Sequence, residues 1–148
     1  MGTGAKPYII YPHTATSAAS PEGGIVNKYV SEPGQVSFGV IDFIPGVFRA
    51  LHHHHTWELI IIDANSEGPG YTLFGKHWWR VDPGSAVFVP KGCSHAWSSG
   101  SNNGFKMLWV YGGTREEAGR VWEEPIENAR AITLEEEENA PRWTPQNI

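Results

Sequence analysis

The chain has 148 residues, of which 40% are hydrophobic, 12% aromatic and 18% charged, and its net charge is −5 at pH 7. This is the makeup of one folded domain with a core of its own, and it excludes a disordered chain. The acidic balance leaves no basic footprint for nucleic acid or an anionic membrane, and no apolar run approaches the roughly 20 residues of a membrane-spanning helix.

Residues 1–24 are rich in Pro, Ser, Thr, Ala and Gly ("YPHTATSAASPEGG") and read as an arm lying over the surface. The opening "MGTGAKPYII" lacks the charged-then-apolar layout of a secretory signal, and the single cysteine, Cys93, fits a reducing compartment, so the cytoplasm is expected. From Ile25 to Gly113 the texture is one of short apolar or alternating runs. They are "IVNKYV", "QVSFGVIDFI", "WELIIID", "YTLF", "HWWRV", "SAVFVP" and "FKMLWVY", separated by Gly and Pro turns. Short strands at such spacing predict an antiparallel sandwich or barrel, an all-β fold. Thr114 with Glu117, and Thr133 with Glu136, are capping-box pairs, so residues 114–148 read as a short helical extension of the same domain. Pro125 limits the first helix, and the acidic run Glu135–Glu138 reads as a solvated face.

Four consecutive histidines, His52–His55, stand in mid-chain. On an extended chain His52 and His54 point to the same side, and Glu58 shares their parity. His53 and His55 form a second pair that points the other way, to the rim or outer face. Much later His95 follows a Pro/Gly turn in "GSAVFVPKGCSHAW", where a barrel could return it to the same interior spot. Three imidazoles and one carboxylate suit Fe, Mn, Co, Ni, Cu or Zn. His13 and His77 read as ordinary surface or turn histidines. Arg49 and Lys91, beside the two segments, are placed to steer an acidic substrate or simply to be solvated.

Two spacings carry a family resemblance. Gly46, five residues, His52, one residue, His54, three residues, Glu58 resembles the first signature of the cupin superfamily. Gly84, five residues, Pro90, one, Gly92, two, His95 is similar to the second, and the pair covers about residues 34–111. The resemblance implies a double-stranded β-helix, or jelly-roll barrel, with one divalent transition metal inside (Fe, Mn, Ni, Cu or Zn) held by His52, His54, Glu58 and His95. It also implies a homodimer that acts on a small molecule. There are departures from the pattern. The glycine closing the first signature is delayed to Gly68 by "DANSEG", which lengthens the expected hairpin, and Ser99 stands where the second signature has asparagine.

Trp97, two beyond His95, and Trp109 are expected to wall a substrate pocket with Phe48, Ile60 and Met107. Core filling is the default role of the remaining tryptophans, and a buried cysteine of this kind is usually a small apolar residue. Such an aromatic cavity, with no dedicated proton-transfer residue in view, leans the expectation toward a metal-dependent dioxygenase or oxidase. The alternatives are a non-redox lyase, isomerase, dehydratase or polyketide-cyclase-like enzyme, with Glu58, Tyr71 or Tyr111 moving the proton, and a binding module without turnover. Small cupin lyases acting on dimethylsulfoniopropionate typically carry Tyr two residues after the Glu, where this chain has Ile60.

Overall fold

A computed structural model describes residues 6–7 and 15–144. Eleven strands are found among these residues. They are β1 (Thr16–Ala19), β2 (Val26–Glu32), β3 (Val36–Phe43), β4 (Phe48–His53), β5 (Glu58–Ile62), β6 (Gly70–Phe74), β7 (His77–Val81), β8 (Ala86–Val89), β9 (His95–Ser99), β10 (Phe105–Tyr111) and β11 (Val121–Trp122). They form two antiparallel sheets, one ordered β1-β2-β3-β10-β5-β8 and the other β11-β4-β9-β6-β7. This is the all-β, two-sheet barrel expected from the sequence, followed by short helices toward the C-terminus. Every apolar run read from the sequence lies on a strand.

The inward faces follow the period of two. On β3 the inner set is Ser37, Gly39, Ile41 and Phe43, on β5 it is Glu58, Ile60 and Ile62, and on β10 it is Phe105, Met107, Trp109 and Tyr111. Phe43 stacks on Phe105 with ring centroids 4.5 Å apart. Ile60 and Ile62 are fully buried, each contributing about 1.5–3 kcal/mol relative to exposure. The Trp109 ring lies across its ladder partner Gly39, and its Nε1–H donates to Asn27 Oδ1 on β2 at 3.0 Å. Glycine is required there by space: a Cβ on Gly39 would sit 2.6 Å from the Lys28 carbonyl oxygen and 2.7 Å from the Trp109 ring. Gly39→Ala should therefore lower stability by about 1–3 kcal/mol, read as an earlier urea midpoint with an unchanged slope.

Two strands arise from segments expected as an arm and an extension. β1 pairs with β2 at one sheet edge, and β11 pairs with β4. Residues 1–5 and 8–14 of the expected arm, with His13, lie outside the described residues. Thr114 and Glu117 cap α1 (Arg115–Ala118) reciprocally, and Thr133 and Glu136 cap α2 (Leu134–Asn139) in the same way. α1 stops well before Pro125, at Gly119 with φ +58°, because the chain turns there to become β11. The acidic run is not wholly solvated. Glu136 accepts from Arg130, and Glu137 accepts from the backbone N–H and hydroxyl of Ser101. The segment after Ile62 is no hairpin, since it crosses from the first sheet to the second. Ser99, in place of the asparagine, holds the turn before β4. The Val47 N–H donates to its Oγ at 3.0 Å, and its hydroxyl donates to the Ile44 carbonyl at 2.6 Å.

Candidate metal centre

The centre is assembled from β4, β5 and β9. Along β4, Arg49 opposes Trp97 and His52 opposes His95, so three steps on β4 match two on β9. The extra residue is a bulge, and it turns both Arg49 and His52 inward. His54 follows just past the strand, and Glu58 opens β5 opposite Tyr111. The turn before His95 needs Gly92 at φ +79°, and the Gly92 N–H donates to the His54 carbonyl at 3.0 Å, tying the two histidine segments together.

His52, His54, Glu58 and His95 are all buried, and one donor atom from each lies within 4.8 Å of the others. His52 Nε2 is 3.1 Å from His54 Nε2, while Glu58 Oε2 is 3.0 Å from His95 Nε2 and 3.3 Å from His54 Nε2. Such edges match adjacent ligands around a metal with bonds of about 2.1 Å. The far sides of the rings fix their orientation. His52 Nδ1 donates to the Ala50 carbonyl at 2.6 Å, His95 Nδ1 to the Cys93 carbonyl at 3.0 Å, and His54 Nδ1 to the Gly119 carbonyl. With each Nδ1 proton held by a carbonyl, the three Nε2 atoms face one another and the Glu58 carboxylate. Acceptors do not converge in a buried spot unless a proton or a cation sits among them. The donor set fits a metal ion of the class named from the sequence.

Electrostatics agree with that reading. Burial, reinforced by His95 and His54, holds the His52 pKa well below its usual 6.5, so this imidazole stays neutral. Burial alone would raise the Glu58 pKa, but hydrogen bonds from His54 and His95 outweigh it and hold the carboxyl down at about 2. The Tyr111 hydroxyl lies 3.4 Å from His54 Nε2. Burial and then Glu58 push its pKa far up, so it remains a protonated donor.

The remaining predicted residues divide. His53 and His55 lie on the rim as expected. His53 Nδ1 meets Glu123, which also accepts from Ser94 Oγ at 2.7 Å. His77 is exposed, and Cys93 is exposed in its turn where a buried apolar role was expected. Tyr71 does not reach the centre: Gly70 and Thr72 take the inward positions of β6, which leaves Tyr71 on the outer face toward Glu137. Phe48 opposes Ser98 and also faces outward. Ile60, Trp97, Met107 and Trp109 point inward but form packed core and line no cavity at the centre. The cavity that touches the cluster, about 360 Å³, is lined by His54, Tyr111, Arg115, Glu116, Gly119, Arg120 and Trp122, with Ala19 and Pro21 at its edge. Its charged lining replaces the expected aromatic one. A second cavity, about 460 Å³, opens between β7 and β8 beside Phe74, Trp79, Phe88 and Trp143, and none of the four clustered residues lines it. Sequence reasoning missed Glu22, Arg120 and the Gly119 carbonyl, all from segments read as peripheral.

A family model described as "AraC-like ligand binding domain" matches residues 38–140. No curated protein matches the chain. Among solved structures, the polyketide cyclase RemF from Streptomyces resistomycificus is 16% identical with a TM-score of 0.64, over 81% of this chain and 87% of that one. A conserved double-stranded β-helix protein from Klebsiella pneumoniae is 18% identical with a TM-score of 0.61, covering 81% of this chain and all of its own. The DMSP lyase DddQ from Ruegeria pomeroyi is 21% identical with a TM-score of 0.59, over 80% of this chain and 61% of that one. At these identities the likeness is one of fold.

Proposed function

From a chain that belongs to the AraC-like ligand binding domain family, a small cupin-superfamily domain, we propose a metal-dependent, non-redox enzyme that acts on a carbonyl or enol group of a small organic molecule. The observation that carries this is the convergence of the three Nε2 atoms and Glu58 Oε2, each ring locked through its Nδ1. His52, His54, His95 and Glu58 are the ligands. A divalent ion held there supplies Lewis acidity to a substrate oxygen. Tyr111 supplies the hydrogen bond. Its raised pKa makes it a poor base, and as a donor it stabilises negative charge growing on that oxygen. The buried walls around Tyr111 and His54 keep water from competing for the same contacts.

One ground for an oxidase, an apolar and aromatic cavity, is weakened by the geometry. The cavity at the cluster is charged, and a hydroxyl donor stands beside it. Two of the similar folds are named as a cyclase and a lyase, which is in keeping with such chemistry. The family description also supports a second reading, a ligand-binding module without turnover.

The test begins with metal analysis of untagged protein, for which about one equivalent per chain is expected. Zinc-loaded protein is then screened against carbonyl and enol substrates while dissolved oxygen is followed. Turnover without oxygen uptake, falling about 10²–10³-fold in kcat for Tyr111→Phe at unchanged zinc content, is the expected outcome. An inert zinc form beside an iron form that consumes oxygen would overturn the non-redox reading. Saturable binding with no product would favour the module.

A further inference from the structure

Above the metal cluster the chain has built a second, charged site from pieces far apart in sequence. Arg49, on the inward side of the β4 bulge, has a side chain only 6% exposed, and Arg120, between α1 and β11, has one 17% exposed. Both converge on Glu22, whose side chain is fully buried although it comes from the surface turn between β1 and β2. Arg49 Nη1 is 3.4 Å from Glu22 Oε2 and donates to Ser20 Oγ at 3.1 Å, and the Ser20 hydroxyl donates to the same Glu22 oxygen. Arg120 Nη1 lies 3.6 Å from Glu22 Oε1.

The fit is loose where it matters. Glu22 Oε1 and Arg120 Nε are both buried without a hydrogen-bond partner, so an acceptor and a donor are left over on the two sides of one ion pair. Two arginines this close repel. Burial, and after it Arg120, lowers the Arg49 pKa to about 10, while Glu22 works in the opposite direction. The pair is also within electrostatic reach of the reacting centre: Arg120 acts on His52, and both arginines act on Tyr111. Arg120 lines the same cavity as His54 and Tyr111, together with Glu116 and with Ala19 and Pro21, which flank Ser20, while Arg49 stands behind Glu22 and outside this lining. The strand-to-strand turn that carries Glu22 ends in Gly23 and Gly24, both at positive φ.

We propose that Arg49 and Arg120 are the carboxylate-binding pair of this pocket, and that Glu22 holds their place until a carboxylate-bearing substrate displaces it. The assignment deepens the function proposed above and rests on it. The substrate is an anion whose carboxylate is gripped by Arg49 and Arg120 while its carbonyl or enol oxygen faces Tyr111 and the histidine cluster. An incoming carboxylate offers two oxygens to the guanidinium fork of Arg120, including the Nε–H that Glu22 leaves unmet. The turn is thereby a selective gate, since a neutral molecule gains nothing that offsets the loss of the Glu22 contacts.

The test uses metal-free protein, so that its outcome is separable from that of the metal chemistry. Salicylate is the probe and uncharged salicylamide its control, with affinities measured calorimetrically. Glu22→Gln removes the resident charge and should tighten salicylate at least about tenfold over wild type while leaving salicylamide unchanged. Adding Arg120→Met to that variant should abolish the gain. Because Glu22→Gln leaves two arginines without a counter-charge, its thermal midpoint should fall and recover with salicylate but not with salicylamide. If that variant fails to fold with either probe, Glu22→Asp, whose carboxylate falls a methylene short, replaces it with the same expected order. Equal affinities of salicylate for wild type and variant, or a gain that survives Arg120→Met, would overturn the proposal. Protein that binds metal normally yet shows no preference for the charged probe would sink this assignment and leave the metal centre standing.

Discussion

His95→Ala is expected to empty the proposed metal site: bound ion should fall from about one equivalent to under about a tenth after dialysis, while the barrel stays folded. Losing even a residue that merely orients a ligand typically costs 10–100-fold in affinity, and His95 is placed as a ligand itself. Its Nε2 is 3.0 Å from Glu58 Oε2, and its ring centroid is 4.4 Å from that of His52, which places it inside the cluster. His53→Ala is the contrast. That ring reaches Glu123 on the rim, and its loss should leave the metal content unchanged. Elemental analysis of the two variants side by side checks both statements. Full metal content in His95→Ala would remove the ligand assignment.

Chelation should produce the second large effect. An ion present at about a thousand times its dissociation constant stabilises the fold by about 4 kcal/mol, and in a chain of this size each kcal/mol shifts Tm by roughly 2–4 °C. Stripping the metal at pH 7.5 is therefore expected to lower Tm by about 8–16 °C. The difference should shrink with acid, because protons compete for the same nitrogens and oxygen. The metal-free protein is acid-sensitive in its own right. His52 has a folded pKa below its unfolded value, so its contribution is complete above about pH 6.5 and is lost as the pH falls through that value. Glu58 at about 2 in the fold against 4.5 when unfolded contributes fully above 4.5 and loses that contribution below it. Both slopes run the same way, so the metal-free Tm should decline steadily below pH 6.5. Identical Tm values with and without chelator at pH 7.5 would count against a resident metal.

Seven of the strands and the shared side of His52, His54 and Glu58 are legible in the sequence because they rest on local rules, alternation and parity over a few residues, whereas His95 is reached through the spacing of the second motif. The errors fall where a rule is carried across something that the sequence does not mark. Counting along β4 puts Phe48 inward, but the bulge between Arg49 and His52 resets the parity and gives the inward position to Arg49 instead. Tyr71 is an aromatic close to the pocket segments in sequence. On β6, however, the polar Thr72 faces inward, its hydroxyl donating to the Ala96 carbonyl at 2.9 Å, while Tyr71 finds cover on the outside near Glu137. Ile60, Met107, Trp97 and Trp109 do point inward, but pattern alone does not separate a filled interior from a lined one. Glu22 and Arg120 carry no local signal, because their partnership joins residues 98 positions apart in segments that composition marks as peripheral.

The carbonyl of Gly119 that holds His54, together with the Trp122 edge laid against His52, changes where this protein can safely be cut or joined. Trimming the chain to the span bearing the two histidine motifs would keep every ligand and yet release one of them to spin about its χ angles. A fusion partner, affinity handle or proteolytic site placed between residues 114 and 122 would loosen the imidazole from behind. Anyone shortening this protein should keep the peptide intact through Trp122.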